Sequence, residues 1–178
     1  MRKLLTALLF AAATFPALAH EMPGPKTGSA ELERMKKLAG TWTGTTEMEK
    51  GKPQVTSLSY KVTSNGSAVV ETLMENGPGE MTTMYYDDEA GKLTMTHYCA
   101  LGNRPRMKLK TSDGTSIVLD FVKSEGINPK KDEHMHGLTL VTPDGDHLEQ
   151  RWTHYTKGKQ DNEAVFKFTR SLEAKKQP

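Results

Sequence analysis

Leu93-Thr94-Met95-Thr96-His97-Tyr98-Cys99-Ala100-Leu101-Gly102-Asn103-Arg104-Pro105-Arg106-Met107 reads as a strand, a turn and the start of a second strand. Alternate residues of its first half fall into two sets, Leu93, Met95, His97 and Cys99 against Thr94, Thr96 and Tyr98. A β-strand turns successive side chains to opposite faces, so a period of two with one apolar set marks a half-buried strand. The apolar set points inward and takes His97 and Cys99 with it. Gly102 to Pro105 supplies the turn. The only cysteine, one histidine and the pair Arg104 and Arg106 around Pro105 make this the stretch richest in chemistry.

The same texture extends in both directions. Strands are expected near 41–48, 56–63, 68–74, 81–86 and 92–99, and again near 106–111, 116–122, 136–141, 147–155 and 164–170. Short loops rich in Gly, Asn, Asp and Pro join most of them, as in Ser64-Asn65-Gly66-Ser67 and Pro143-Asp144-Gly145-Asp146. About ten strands with no helical pattern between them predict an all-β, antiparallel up-and-down β-barrel, because a meander that long closes to remove its edges. A β-sandwich is the alternative. Before the strands, Ser29 caps a helix from Ala30 to about Ala39, with Leu32, Met35, Leu38 and Ala39 on one face and Gly40 at its end. That single apolar stripe predicts a short N-terminal helix lying across one mouth of the barrel. Residues 123–133 form the one long polar connection between strands, a candidate flap.

At the N-terminus, Met1-Arg2-Lys3, the apolar run Leu4–Ala13 and Ala17-Leu18-Ala19 before His20 spell a secretory signal peptide over residues 1–19. The expected organisation continues with a disordered leader at 20–28, the barrel domain at 29–172 and a polar tail at 173–178. The expected location is periplasmic or secreted. No later run approaches the roughly twenty apolar residues of a membrane span. Removing 1–19 takes away Arg2 and Lys3 and no acid, so 24 basic residues become 22 against 22 acidic ones. A balanced charge leaves no footprint for nucleic acid. One cysteine allows no internal disulfide, so the core alone must hold the fold.

The inward faces carry unexpected polar groups. His136 precedes Leu138 and Leu140, and Gln150, Trp152 and His154 follow Leu148. Buried polar groups cost about 1–3 kcal/mol each when unpartnered, so a cavity holding several must pair them, hydrate them or present them to a ligand. Each also has a purely structural role open to it: a satisfied core histidine, a small buried thiol, a packed tryptophan. Ligand binding is the favoured function, with His97, Cys99, Asn103, Arg104, Arg106, His136, Trp152 and His154 as the candidate pocket and mouth. The expected partner is a small apolar or amphipathic molecule, with an acidic head group suited to the arginines. A metal site is a second reading, since His97-x-Cys99 and His134-x-His136 each put two ligand types on one face. An enzyme built on His97 and Cys99 is third. No Gly-x-Ser-x-Gly elbow, phosphate loop or dinucleotide fingerprint is present.

Leu38-Ala39-Gly40-Thr41-Trp42-Thr43-Gly44 resembles the Leu-x-Gly-x-Trp-x-Gly opening of lipocalin-like and nitrobindin-like (calycin) barrels. The resemblance implies that Trp42 packs at the closed end. His97-Tyr98-Cys99-Ala100-x-Gly102-Asn103-x-Pro105-Arg106-Met107 resembles a phrase of uncharacterised secreted bacterial proteins of the same general type. Nitrobindins hold haem through a histidine on a late strand, which makes a haem barrel the alternative function and His154 the candidate axial residue by position. Cofactor, ligand identity and oligomeric state stay open at this level.

Overall fold

The computed structural model describes residues 23–49 and 51–171; the expected signal peptide (1–19) and tail (173–178) lie outside the described residues. One helix, α1 (Ala30–Lys36), precedes ten strands. They are β1 (Gly40–Glu49), β2 (Lys52–Thr63), β3 (Ala68–Leu73), β4 (Met81–Asp87), β5 (Leu93–Tyr98), β6 (Arg106–Ser112), β7 (Ser116–Val122), β8 (His134–Val141), β9 (His147–Thr156) and β10 (Lys159–Arg170). Every sequential pair is antiparallel, and β1 pairs with β10 to close the barrel. The all-β up-and-down barrel is therefore the fold, and the sandwich alternative falls away. Closure gives each strand two partners and leaves no open edge. Among the described residues no helix is long and apolar enough to cross a membrane.

The two ends of the barrel differ. At one end α1 lies across the opening, with Leu32, Met35 and Leu38 buried. Ser29 caps it by accepting from the Leu32 amide, and the same hydroxyl donates to Asp87 at the end of β4, 2.7 Å away. Arg34 donates to the Asp113 and Ser116 carbonyls of the β6–β7 turn. Arg170 donates to the carbonyls of Lys37 and Ala39, and to Gly145 in the β8–β9 turn. Residues 23–28, part of the expected leader, run along this end: Asn65 donates to the carbonyls of Pro23 and Gly24, and the Lys26 amide donates back to Asn65. The helix is thus stitched to several of the turns that surround it.

The Gly-x-Trp-x-Gly opening has a specific geometry. Trp42 is buried, its indole N–H donates to the Leu38 carbonyl at 2.9 Å, and the Arg170 guanidinium lies 4.1 Å from its ring centroid. Gly40 has φ 124°, a conformation open to glycine and few others. Gly44 faces β10 so closely that a Cβ there would sit 1.9 Å from the Lys167 carbonyl oxygen. Backbone cannot yield as a flexible side chain does, so Gly44→Ala has to part β1 from β10. We expect a loss of about 2 kcal/mol or more, read as a lower urea midpoint with an unchanged m-value. A variant as stable as wild type would show that this seam is looser than the geometry implies.

Candidate ligand-binding site

Cross-strand register explains how the interior is furnished. Tyr60 on β2 pairs with Glu71 on β3, Glu71 with Thr83 on β4, and Thr83 with His97 on β5. These four inward residues therefore form a continuous polar row around one wall. From the facing wall, Gln150 on β9 reaches across: its Nε2 donates to Tyr60 Oη at 2.7 Å and to Glu71 Oε2 at 2.8 Å. Trp152 Nε1 donates in turn to Gln150 Oε1 at 2.9 Å.

Glu71 is the centre of this network and is fully buried. Burial raises its carboxyl pKa, and hydrogen bonds from Tyr60, Tyr85, Gln150 and Thr83 pull the other way. Burial, and then the neighbouring Glu71 charge, lifts both phenols well above their ordinary range, which keeps Tyr60 and Tyr85 as donors. Four donors converge on this one carboxyl, and burial outweighs them, so its pKa stays raised. Thr83 Oγ1 donates to Glu71 Oε1 at 3.3 Å and lies 2.9 Å from His97 Nδ1. A hydroxyl that has given its proton to Glu71 can only accept from the imidazole. Where Thr83 donates to Glu71, the fitting His97 tautomer carries its proton on Nδ1, which leaves the lone pair on Nε2.

That nitrogen has no hydrogen-bond partner, although His97 is 1% exposed. Burial drives the His97 pKa down to about 4, so the ring is neutral in the folded protein at neutral pH. The Trp152 ring packs against it at 4.5 Å between centroids and fixes its plane.

Beyond this floor, toward the end opposite α1, lies a cavity of about 350 Å³. His97, Trp152 and Phe166 form its depth, with Leu73, Met81, Met135 and Ala164 along the walls. Cys99, Leu101, Glu133, His154 and Asn162 stand toward the rim. Among the described residues no lysine or arginine lines it. His154 Nδ1 pairs with Asp161 at 2.7 Å. Burial raises the Cys99 thiol pKa, so the thiol form prevails there.

Four of the eight candidate residues therefore meet in one cavity: His97, Cys99, Trp152 and His154. The other four lie elsewhere. Asn103 braces the mouth from behind, its Nδ2 donating to the Glu133 carbonyl at 2.8 Å. That bond, with Pro129 and Lys130 packed near Gly158, ties the 123–133 connection to its neighbours. Arg104 and Arg106 are exposed, and Arg106 sits beside the inward Met107 and so faces outward. His136 is a correction to the inward reading of β8. A bulge between Met135 and Gly137 shifts the register, Met135 takes the cavity-facing place, and His136 is displaced from it. His136 instead stacks on Tyr155 at 3.9 Å and hydrogen-bonds His134 at 3.0 Å. Among the described residues no three His, Cys, Asp or Glu side chains converge as a metal site.

No protein-family model matches the chain, and no curated protein does. Among solved structures, the crystal structure of a DUF3598-family protein of unknown function from Nostoc punctiforme superposes on 77% of this chain with a TM-score of 0.52 and 10% sequence identity. The likeness is one of fold alone. The chain spans about half, 49%, of that protein's length. A closed ten-stranded barrel is consistent with the calycin-like architecture the sequence resembles.

Proposed function

We propose that this is an exported binding protein whose barrel holds a small, largely apolar molecule in the cavity above His97 and Trp152. The observation that carries the reading is an apolar cavity, open at the end away from α1, with His97, whose buried Nε2 has no partner among the described residues, in its lining. Its volume of about 350 Å³ lies at the lower end of the ~300–1,000 Å³ of small-molecule sites. An apolar cavity of about 150 Å³ stays dry and accommodates benzene, so the space here suits roughly a dozen heavy atoms, and the rest of a longer ligand extends through the open mouth.

The competing readings are less well supported. A porphyrin is larger than a cavity of about 350 Å³. Catalysis by His97 and Cys99 lacks its hydrogen bond: Nδ1 is taken by Thr83, Nε2 has no partner, and the Cys99 thiol pKa is raised rather than lowered.

The test uses a neutral fluorescent hydrocarbon-like probe, N-phenyl-1-naphthylamine. Wild type should bind it saturably at one site per chain. Ala164→Leu places three more carbons in the cavity and leaves every polar partner intact, so affinity should fall at least about tenfold, or about 1.4 kcal/mol. Absence of saturable binding, or equal binding by the variant, would refute an internal site.

A further inference from the structure

We propose, resting on the ligand-binding reading above, that the ligand carries one neutral hydroxyl, as an apolar alcohol or phenol does, whose O–H donates to His97 Nε2 at the cavity floor. Among the described polar side-chain atoms of the cavity's depth, His97 Nε2 is buried without a partner, and its polarity is set by Thr83 behind it. In this assignment Thr83 donates to Glu71 and accepts from His97 Nδ1, which leaves Nε2 as an acceptor. Gln150 and Trp152, the other polar groups at this depth, are bonded to each other and spend their donors within the wall. The Trp152 ring packs against the imidazole at 4.5 Å between centroids and restrains its rotation.

One acceptor in an otherwise apolar pocket selects among head groups by counting donors. A hydroxyl brings one donor, and Nε2 takes it. A carboxylate brings none, meets a lone pair, and finds no lysine or arginine among the described residues of the lining while Glu133 stands at the rim. An ammonium brings three donors and leaves two unsatisfied in a dry site. A hydrocarbon or ether of the same shape fills the space but leaves Nε2 unpaired. The acidic head group expected from Arg104 and Arg106 loses its basis, because both are exposed outside the cavity.

The experiment compares 4-pentylphenol, 4-pentylanisole, pentylbenzene and 4-pentylbenzoate as displacers of N-phenyl-1-naphthylamine. On wild type the phenol should bind at least about tenfold tighter than the ether or hydrocarbon, with the benzoate weakest. In His97→Leu the preference for the phenol should collapse while pentylbenzene still binds. Nitrogen NMR of histidine-labelled wild type keeps the test independent of that variant's folding. Free His97 Nε2 should resonate as an unprotonated nitrogen and move on adding the phenol, not the ether. Equal binding of phenol, ether and hydrocarbon, or tightest binding of the benzoate, would overturn the hydroxyl assignment and leave the binding reading standing. Displacement by none of the four, with no saturable probe binding, would remove both.

Discussion

Trp42→Ala should cost about 4 kcal/mol of folding stability and lower the melting temperature by roughly 10 °C. Three losses coincide. A tryptophan side chain leaves a site where it is 1% exposed. The Leu38 carbonyl, which follows α1, loses its indole partner. Arg170 loses the ring beneath it, while its guanidinium must still hold the carbonyls of Lys37, Ala39 and Gly145. Trp42 is therefore where the barrel's end wall, its helix and its last strand are joined. The cavity lies at the opposite end, so below its melting point the variant should bind N-phenyl-1-naphthylamine nearly as wild type does. Urea unfolding and the probe titration together check this. A cost below about 1 kcal/mol, or loss of binding in the folded variant, would contradict the division of the barrel into a stapled end and an open one.

The second large effect is a loss of stability on mild acidification. His97 titrates at about 4 in the fold against an ordinary 6.5, because burial penalises the charged ring. Between those values the unfolded chain takes up a proton that the folded protein refuses. Stability therefore falls as the pH drops from about 6.5 to about 4, by about 3 kcal/mol in total, and the loss levels off below that. Glu71 acts with the opposite sign. Its carboxyl pKa is raised by burial, so its contribution is full below 4.5 and is lost as the pH rises through the higher folded value. The two slopes partly cancel in wild type, and the His97 share is isolated as a difference. Urea unfolding of wild type and His97→Leu from pH 4 to 7 should give a stability difference that shifts by about 3 kcal/mol in favour of the variant toward pH 4. A pH-independent difference would mean that the ring is not held neutral.

The architecture was open to reading because each strand declares its own faces. Alternation in Leu93–Cys99 turned His97 and Cys99 inward, and alternation in Leu148–His154 did the same for Trp152 and His154; all four line the cavity. The opening Gly40-Thr41-Trp42-Thr43-Gly44 marked the stapled end. Where the pattern failed, a local irregularity was responsible. His136 has the right parity for the interior until the bulge at Met135–Gly137 inserts one residue and hands its place to Met135. A single-residue insertion of this kind leaves no compositional mark.

Arg104 and Arg106 follow an inward strand, yet the turn after Cys99 and the parity of Met107 carry them outside. Gln150, Trp152 and His97 were read as inward, but Glu71, the centre of the buried network that joins them, escaped the sequence reading. Its signal was present, since Val69, Glu71 and Leu73 share a face and put a carboxylate between two core residues. Its meaning depends on which residues stand opposite. Tyr60, Thr83 and Gln150 come from three other strands, and only the register of the closed barrel aligns them.

The account stands most directly on occupancy of the space between His97 and the rim, and Cys99 reports on it as the only cysteine in the chain, lying at the cavity edge. The measurement is the rate of Cys99 alkylation by a small maleimide as N-phenyl-1-naphthylamine is titrated in. The account predicts protection that rises with probe concentration and saturates with the same Kd as the fluorescence. An unchanged alkylation rate at full probe occupancy would place the ligand elsewhere and contradict it.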